Sequence, residues 1–378
     1  MKILVISHEY PPVGGGGAQV VQDLCKGLVS NGHHINVITA HYGDLPLIEK
    51  HNALSIHRIP SARKEAFRAD LKTMTIFVWK SIREGYRLIR SWQPDLIHAH
   101  FAVPAGVSAF ALSWLTRVPY ILTAHGGDVP GGAPEKTNRW FRVVRPFSRI
   151  IWKQAAGITA VSPETRQLAL DHYPVDITVI PNGIDLNEYQ PGDYDPQEPP
   201  TIIYSGRFSP EKNAVMVPKT LTGLTRFPWR CVMLGDGLQM GEVKSEIENH
   251  HLGDRFFLPG WVAPDDVKKW MAESDILFLP SLREGMPIAG LQGLAMGLAM
   301  VLSKIGSCPH LVEEGKNGYL ADPGNITEYK NGLASLLEDP HLLGKCRQKS
   351  RDLAQNFSLV NSIKAYENFY SRVVGQSP

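Results

Sequence analysis

The sequence predicts an α/β protein made of two doubly wound, mostly parallel sheets, and three observations carry that expectation. Short apolar runs alternate with helical segments along both halves of the chain. Several runs, such as ILFLP at 276–280, are continuously apolar, as a parallel strand covered on both faces must be. A stretch rich in proline, LNEYQPGDYDPQEPP at 186–200, lies between the halves, and Pro191, Pro196, Pro199 and Pro200 deny it both helix and central strand. With 378 residues and ~150 residues per domain, two cores are the natural division.

In the first half KILVIS, INVIT, DLIHAH, YILTAH, GITAVS and ITVIP read as strands. Helices are expected between several of them, near 18–30, 74–91, 106–116 and 163–171. After the proline-rich linker, TIIYSG, RCVMLG, RFFLP, DILFLP and AMVLS repeat the strand pattern. The last segment places Val360, Ile363, Tyr366, Phe369, Tyr370 and Val373 close to helical spacing, so a closing helix is expected there.

Composition narrows the class. Hydrophobic residues make up 43% and charged residues 20%, which describes a globular enzyme and excludes a disordered or fibrous chain. Cys25, Cys231, Cys308 and Cys346 are scattered without paired spacing and read as buried thiols of a reducing cytosol. The opening MKILVIS is too short an apolar run for a signal peptide and is expected as the first strand. Uncharged runs at 97–116 and 285–303 are interrupted by Pro, Gly, His, Ser or Gln, so no transmembrane segment is expected.

Net charge is only +2, yet residues 1–185 hold 20 Lys and Arg against 14 Asp and Glu. Arg58, Arg63, Lys64, Arg68, Lys72, Lys80, Arg83, Arg87 and Arg90 face only Glu65, Asp70 and Glu84. A second basic stretch, NRWFRVVRPFSRIIWK at 138–153, interleaves arginines with aromatics. Two readings stand: a surface for an anionic membrane, or solvated helix faces with snorkelling arginines. A nucleic-acid partner is not expected, because a near-neutral chain without a known binding motif lacks the electrostatic footprint.

Four stretches offer chemistry. Glu284 follows the strand ILFLP, and backbone N–H groups from Gly285 to Ala289 open an uncharged helix, a setting that suits phosphate or sugar oxygens. The alternative is an ordinary buried strand and helix with a solvated acid. Gly14–Gly17 lie between the first strand and a helix, where backbone can approach an anion. They lack the G-x-G-x-x-G order of a dinucleotide site, so NAD is not expected. Arg207 and Lys212 follow TIIYSG, and a guanidinium plus an ammonium at a sheet's carboxyl end suits a diphosphate. His125 ends the strand YILTA, with Asp128 available to orient it toward a sugar; a structural histidine is the alternative. His98 and His100 share a strand face without an evident third ligand, and Asp193-Tyr194-Asp195 reads as linker polarity, so no metal site is expected.

Together PPVGGGGAQVVQDLCKGLVSNGHHINVIT, TAHGGD, ITAVS, VIPNGID, SGRFSPEKN, PSLREGMPIAGLQGLAMG and GSCPHLVEEGKNGYLADP resemble the GT-B glycosyltransferases of family four, the group 1 glycosyltransferases, over essentially the whole chain. The resemblance implies two Rossmann-like domains facing across a cleft: an acceptor-side domain at 1–185, with 361–378 packing back on it, a linker at 186–200, and a donor domain at 201–360. It implies a retaining transferase, front-face in mechanism and independent of metal or other cofactor. Such an enzyme moves a sugar from a UDP- or GDP-linked donor to a glycan or lipid-linked acceptor, in polysaccharide or cell-envelope synthesis. The expected place is cytoplasmic, peripheral on the inner membrane face.

Residue by residue, the resemblance puts Arg207 and Lys212 on the donor diphosphate and Gly16 and Gly17 against it. Glu284 holds sugar hydroxyls, assisted by the backbone of Met286, Pro287, Ile288 and Ala289. His125 lies by the sugar, the turn of Gly260 and Val262 meets the base, and position 292 meets the ribose. The chain departs from the family in carrying Gln292 where a second glutamate is usual, and His310 after Pro309 where glutamate is usual. A non-catalytic nucleotide-sugar binding protein is one alternative those departures leave open. A sugar-nucleotide epimerase of similar architecture is another, since fold does not fix reaction class.

Overall fold

A computed structural model describes residues 1–66, 69–132 and 148–375. It resolves into two compact units, the first formed by residues 1–183 with the C-terminal helix Leu359–Gly375, the second by residues 184–358.

The first unit holds strands β1 (Lys2–Ile6), β2 (His34–His41), β3 (Ile48–His51), β4 (Leu54–Pro60), β5 (Leu96–His100), β6 (Tyr120–Ala124), β7 (Gly157–Ala160) and β8 (Thr178–Val179). They order as β3-β4-β2-β1-β5-β6-β7-β8, parallel throughout except for the β3–β4 hairpin. Alternate residues of β1 serve opposite faces. Leu4 and Ile6 join Ile38, Phe77, Ile97 and Leu112 in one core, while Ile3 and Val5 join Val21, Leu24, Ile363 and Tyr370 in the other. The C-terminal helix thus belongs to the first unit's core, where Gly27 makes room for it: a Cβ there would lie 2.0 Å from Ile363 Cδ1.

The hairpin strands β3 and β4 escape the sequence reading because IEKH and LSIHRIP carry charge at positions an apolar run would fill. Their charges are satisfied locally instead. Arg58 Nη1 donates to Glu49 Oε2 at 2.6 Å across the hairpin, so both side chains tolerate the sheet edge.

The second unit holds β9 (Thr201–Ser205), β10 (Arg230–Leu234), β11 (Phe256–Gly260), β12 (Ile276–Leu279), β13 (Ala299–Ser303) and β14 (Gly318–Ala321), ordered β11-β10-β9-β12-β13-β14 and all parallel. β14 is not among the strands the sequence announces. Gly318 has φ +158 and packs so close to Met300 that a Cβ would meet its carbonyl oxygen at 1.8 Å; the glycine is part of the strand contact.

The expected linker at 186–200 is packed into this second unit. Arg347, almost wholly buried, pairs with Asp275 at 2.8 Å and donates to the Asp195 carbonyl at 3.0 Å. Asp275 also accepts the amides of Gln197 and Thr201, while Arg351 donates to the carbonyls of Leu186 and Tyr189. A proline-rich stretch offers few N–H donors, so its free carbonyls are what these arginines engage.

In each sheet the strand order reverses at one place, between β1 and β5 in the first and between β9 and β12 in the second. Loops leaving the carboxyl ends there splay apart, and ligands of doubly wound sheets bind at that switch point.

Candidate active site

In the second unit the loops after β9 and β12 are stitched together at the switch point. The amides of Leu282 and Arg283 both reach the Glu211 carbonyl, at 2.9 and 3.3 Å, and Asn213 Nδ2 donates to the Pro280 carbonyl at 3.2 Å. This brings together three residues expected from sequence. Lys212 Nζ donates to both oxygens of Glu284 at 2.7 Å, and Ser281 Oγ donates to Glu284 Oε1 at 2.8 Å. The Glu284 side chain is only 7% exposed and Lys212 24%, so the pair is shielded from bulk water yet reachable. Arg207, in the same loop, approaches Glu211 at 3.7 Å and remains partly exposed.

The helix after Glu284 starts later than its sequence suggested, at Ile288–Ala295, with Pro287 at its N-cap and no side-chain cap. Met286 and Ala289 therefore keep backbone N–H groups at its mouth, but Pro287 has none to give, which corrects the expectation of donors throughout 285–289. Gly285 is fixed from behind. Its carbonyl accepts the Ser307 amide at 3.1 Å and the Ser307 hydroxyl, while Gly306 (φ +46) lies where a Cβ would sit 2.0 Å from the Glu284 carbonyl oxygen.

Gly260 ends β11 at φ +79, and its carbonyl accepts the Gly235 amide at 2.9 Å. Gly235 in turn packs so that a Cβ would meet the Gly206 carbonyl at 1.9 Å, layering the loops after β9, β10 and β11. Val262 follows, half-buried beside the exposed Trp261.

The first unit gathers the other expected residues at its own switch point. The helix Gly16–Ser30 begins after Gly14 (φ +104) and Gly15, again with no side-chain cap. Gly17 backs onto Phe101, whose ring a Cβ would meet at 2.8 Å, and the Phe101 ring lies 4.4 Å from that of His125. Phe101 itself holds φ +73, a strained state for a bulky residue and one that sequence does not announce.

His125 Nε2 lies 3.1 Å from His100 Nδ1, and His98 bonds Tyr370 on one ring nitrogen and Thr123 on the other. Burial pushes His125 down to about 4 and His98 to about 3, so these imidazoles are neutral at pH 7. Asp128 does not orient the His125 ring as expected: it accepts the backbone amides of His125 and Ala102, at 2.9 and 2.7 Å, and so shapes the loop. Among the described residues, no group of three or more His, Cys, Asp or Glu is placed to hold a metal ion.

The comparisons with known proteins match this arrangement along the chain. The model of Glycosyltransferase Family 4 covers residues 14–188, and that of Glycosyl transferases group 1 covers residues 189–353. The chain belongs to the group 1 glycosyltransferases.

Relatives of this glycosyltransferase include the N-acetyl-alpha-D-glucosaminyl L-malate synthase of Bacillus anthracis, 25% identical over 99% of this chain and 98% of that protein. Another is the UDP-Gal:alpha-D-GlcNAc-diphosphoundecaprenol alpha-1,3-galactosyltransferase of Escherichia coli, 25% identical over 78% of this chain and 80% of that protein. Among solved structures, HepE of Anabaena in complex with UDP and glucose superposes with a TM-score of 0.77 at 20% identity, covering 98% of this chain and 100% of that one. The sucrose-phosphate synthase of Thermosynechococcus elongatus reaches 0.86 at 18% identity, covering all of both chains. The fold is GT-B, and the glycosyltransferase depends on a nucleotide sugar.

Gln292 of the glycosyltransferase is buried on the helix Ile288–Ala295, and its Nε2 donates to the Tyr189 hydroxyl at 2.8 Å. In this arrangement Nε2 is occupied by the tyrosine and Oε1 is the atom turned to other partners. The sequence reading missed Ser281, Glu211, Gly235, Gly306, Ser307 and Phe101 as parts of these sites. Only the glycines carried a signal, since each sits in a loop between a strand and a helix.

Proposed function

We propose that this glycosyltransferase is a retaining enzyme that transfers a sugar from a UDP- or GDP-linked donor to a glycan or lipid-linked acceptor, without a metal ion. The observation that carries it is the cluster of Arg207, Lys212 and Glu284 at the β9/β12 switch point. Breaking the bond between the anomeric carbon and the phosphate oxygen builds negative charge on the departing diphosphate. Arg207, Lys212 and the N–H groups at the mouth of the helix Ile288–Ala295 supply positive potential for it, the task a metal ion performs elsewhere. Glu284 accepts hydroxyls of the sugar, and Gln292 Oε1 accepts one from the ribose. Gly260 and Val262 border the base.

Retention follows from front-face attack. The acceptor oxygen bonds the anomeric carbon on the side the diphosphate leaves, and its proton passes to the departing phosphate oxygen, so no covalent sugar–enzyme intermediate is required. The E. coli relative is named for an alpha linkage made from UDP-galactose, itself an α-linked donor, which accords with retention. His125, Gly16 and Gly17 line the switch point of the first unit, which we assign to the acceptor side. Four buried cysteines, none of them in a disulfide, suit a cytoplasmic enzyme.

A first experiment is thermal unfolding with UDP, GDP and ADP and their sugars, since a ligand at ~100 times its dissociation constant adds about 2.7 kcal/mol. The stabilising donor is then incubated with glycan and lipid-linked acceptors. Release of nucleoside diphosphate with a product of the donor's own anomeric configuration, unaffected by chelator, is expected. A product of the opposite configuration overturns retention, and loss of turnover on chelation overturns metal independence. A donor that binds yet is never transferred, even by Gln292→Glu, favours a non-catalytic binding protein, the reading that the uncharged Gln292 supports.

A further inference from the structure

The helix Leu71–Trp92 is built for two neighbours, and only one is accounted for. Thr73, Phe77, Ser81, Gly85, Leu88 and Ile89 face the core of the first unit. On the opposite side, Lys72, Trp79, Arg83, Tyr86 and Arg90 recur at helical spacing along one stripe, and all five are exposed. Trp79 is 72% exposed. The helix carries Lys72, Lys80, Arg83, Arg87 and Arg90 against the single acid Glu84. Glu84 is already engaged by Arg87 at 3.0 Å and approached by His57 at 3.1 Å, so the outward cations are not neutralised within their own helix.

The neighbouring helix Val107–Thr116 extends this face. It runs beside the first in the same direction, with Ser81 and Ser108 hydroxyls 2.7 Å apart and Leu112 filling the space left by Gly85. It exposes Trp114 at 77% and Leu115 at 50%. On the other flank, a groove of about 580 Å³ opens between the β3–β4 hairpin and the helix, lined by Leu47, Ile48, Arg58, Trp79, Arg83 and Arg87 among others. Arg58 forms its buried wall, and its Nε has no hydrogen-bond partner among the described residues.

We infer that this face docks on an anionic phospholipid bilayer. Exposed tryptophans bordered by arginine and lysine match the membrane interface, where indole rings settle at headgroup depth and cations meet lipid phosphates. The groove is lined by Lys80, Arg83 and Arg87 against the single acid Glu84, with the apolar Leu47 and Ile48 beside them, a lining whose net positive charge suits one phosphate headgroup and the start of its acyl chain. The surface lies wholly within the first unit and holds none of the residues assigned to the donor. It therefore acts by bringing the enzyme to a lipid-linked acceptor, and rests on the transfer reading only for that purpose.

The test is co-sedimentation of the full chain with vesicles of phosphatidylcholine alone, or with phosphatidylglycerol added as the anionic lipid, at low and high salt. Partition is expected to rise at least tenfold with the anionic lipid and to fall as salt screens the charges. The variant Lys72→Glu/Arg83→Glu/Arg90→Glu should lose that gain. Trp79→Ala/Trp114→Ala should weaken binding to both vesicles, while an unchanged circular dichroism spectrum and unfolding transition of the first unit report that each variant is folded. Equal partition with and without anionic lipid overturns the inference, as does unchanged binding of the charge-reversed variant. Equally tight binding to single-stranded oligonucleotide through the same residues would reassign the face to nucleic acid.

Discussion

The ammonium of Lys212 lies 2.7 Å from both carboxylate oxygens of Glu284, joining the loop after β9 to the loop after β12. A diphosphate and a sugar hydroxyl would each draw on one partner of this shielded pair, so the two side chains are expected to act as a unit. Glu284→Gln and Lys212→Met should each lower kcat/KM by ~10²- to 10³-fold. The double variant should lose little more than the worse single one, because each substitution already disables the other's partner. Fully additive losses in steady-state kinetics would show that the two act separately.

Gln292 gives its amide to Tyr189, and a glutamate there would accept the same hydroxyl while offering a charged oxygen to the ribose. Gln292→Glu is expected to tighten nucleotide binding about 5- to 10-fold, the difference between a neutral and a charge-assisted hydrogen bond. Titration calorimetry with the preferred nucleotide measures it; unchanged or weaker affinity would mean that position 292 does not meet the ribose.

Gly306 holds φ +46 against the carbonyl of Glu284. Gly306→Ala puts a methyl group 2.0 Å from that oxygen and strains the backbone as well. A loss of about 1–3 kcal/mol in denaturant unfolding is expected, together with a fall in kcat larger than any produced by Gly315→Ala, whose Cβ meets nothing within 4 Å despite its φ of +70. Similar kcat for the two variants would remove Gly306 from the support of Glu284.

Acid should weaken the first unit before the second. Burial holds His98 at about 3 and His125 at about 4, both below the usual 6.5, so the folded state keeps them neutral while the unfolded chain takes up protons. Their contribution is fully present above pH 6.5 and is lost as pH falls toward those lower values, at up to about 1.4 kcal/mol per pH unit for each histidine. Urea unfolding between pH 7 and 5, followed by a probe in each unit, measures the slope. His98→Gln should flatten it, and an unchanged slope would place the acid sensitivity elsewhere.

Sequence alone determined the short, largely apolar strands β1, β2 and β5 to β13, and the helix spacing of Leu359–Gly375. Hydrophobic periodicity is a local property, and burial on both faces leaves no other pattern for such residues. It also pointed to Arg207, Lys212 and Glu284, because loops at the carboxyl ends of parallel strands are where charge is useful. Tertiary structure alone decided the rest. β3, β4 and β14 pair through charges and glycines that have no strand signature until Glu49 meets Arg58 and Gly318 meets Met300. The proline-rich stretch looked like a linker because its anchors, Arg347 and Arg351, lie some 150 residues further along the chain. Glu284 owes its shielded setting to Lys212, Ser281 and Gly306, which the fold collects from three separate loops. Contacts between residues distant in sequence leave no periodic trace in it, and a site made of loops is made almost entirely of such contacts.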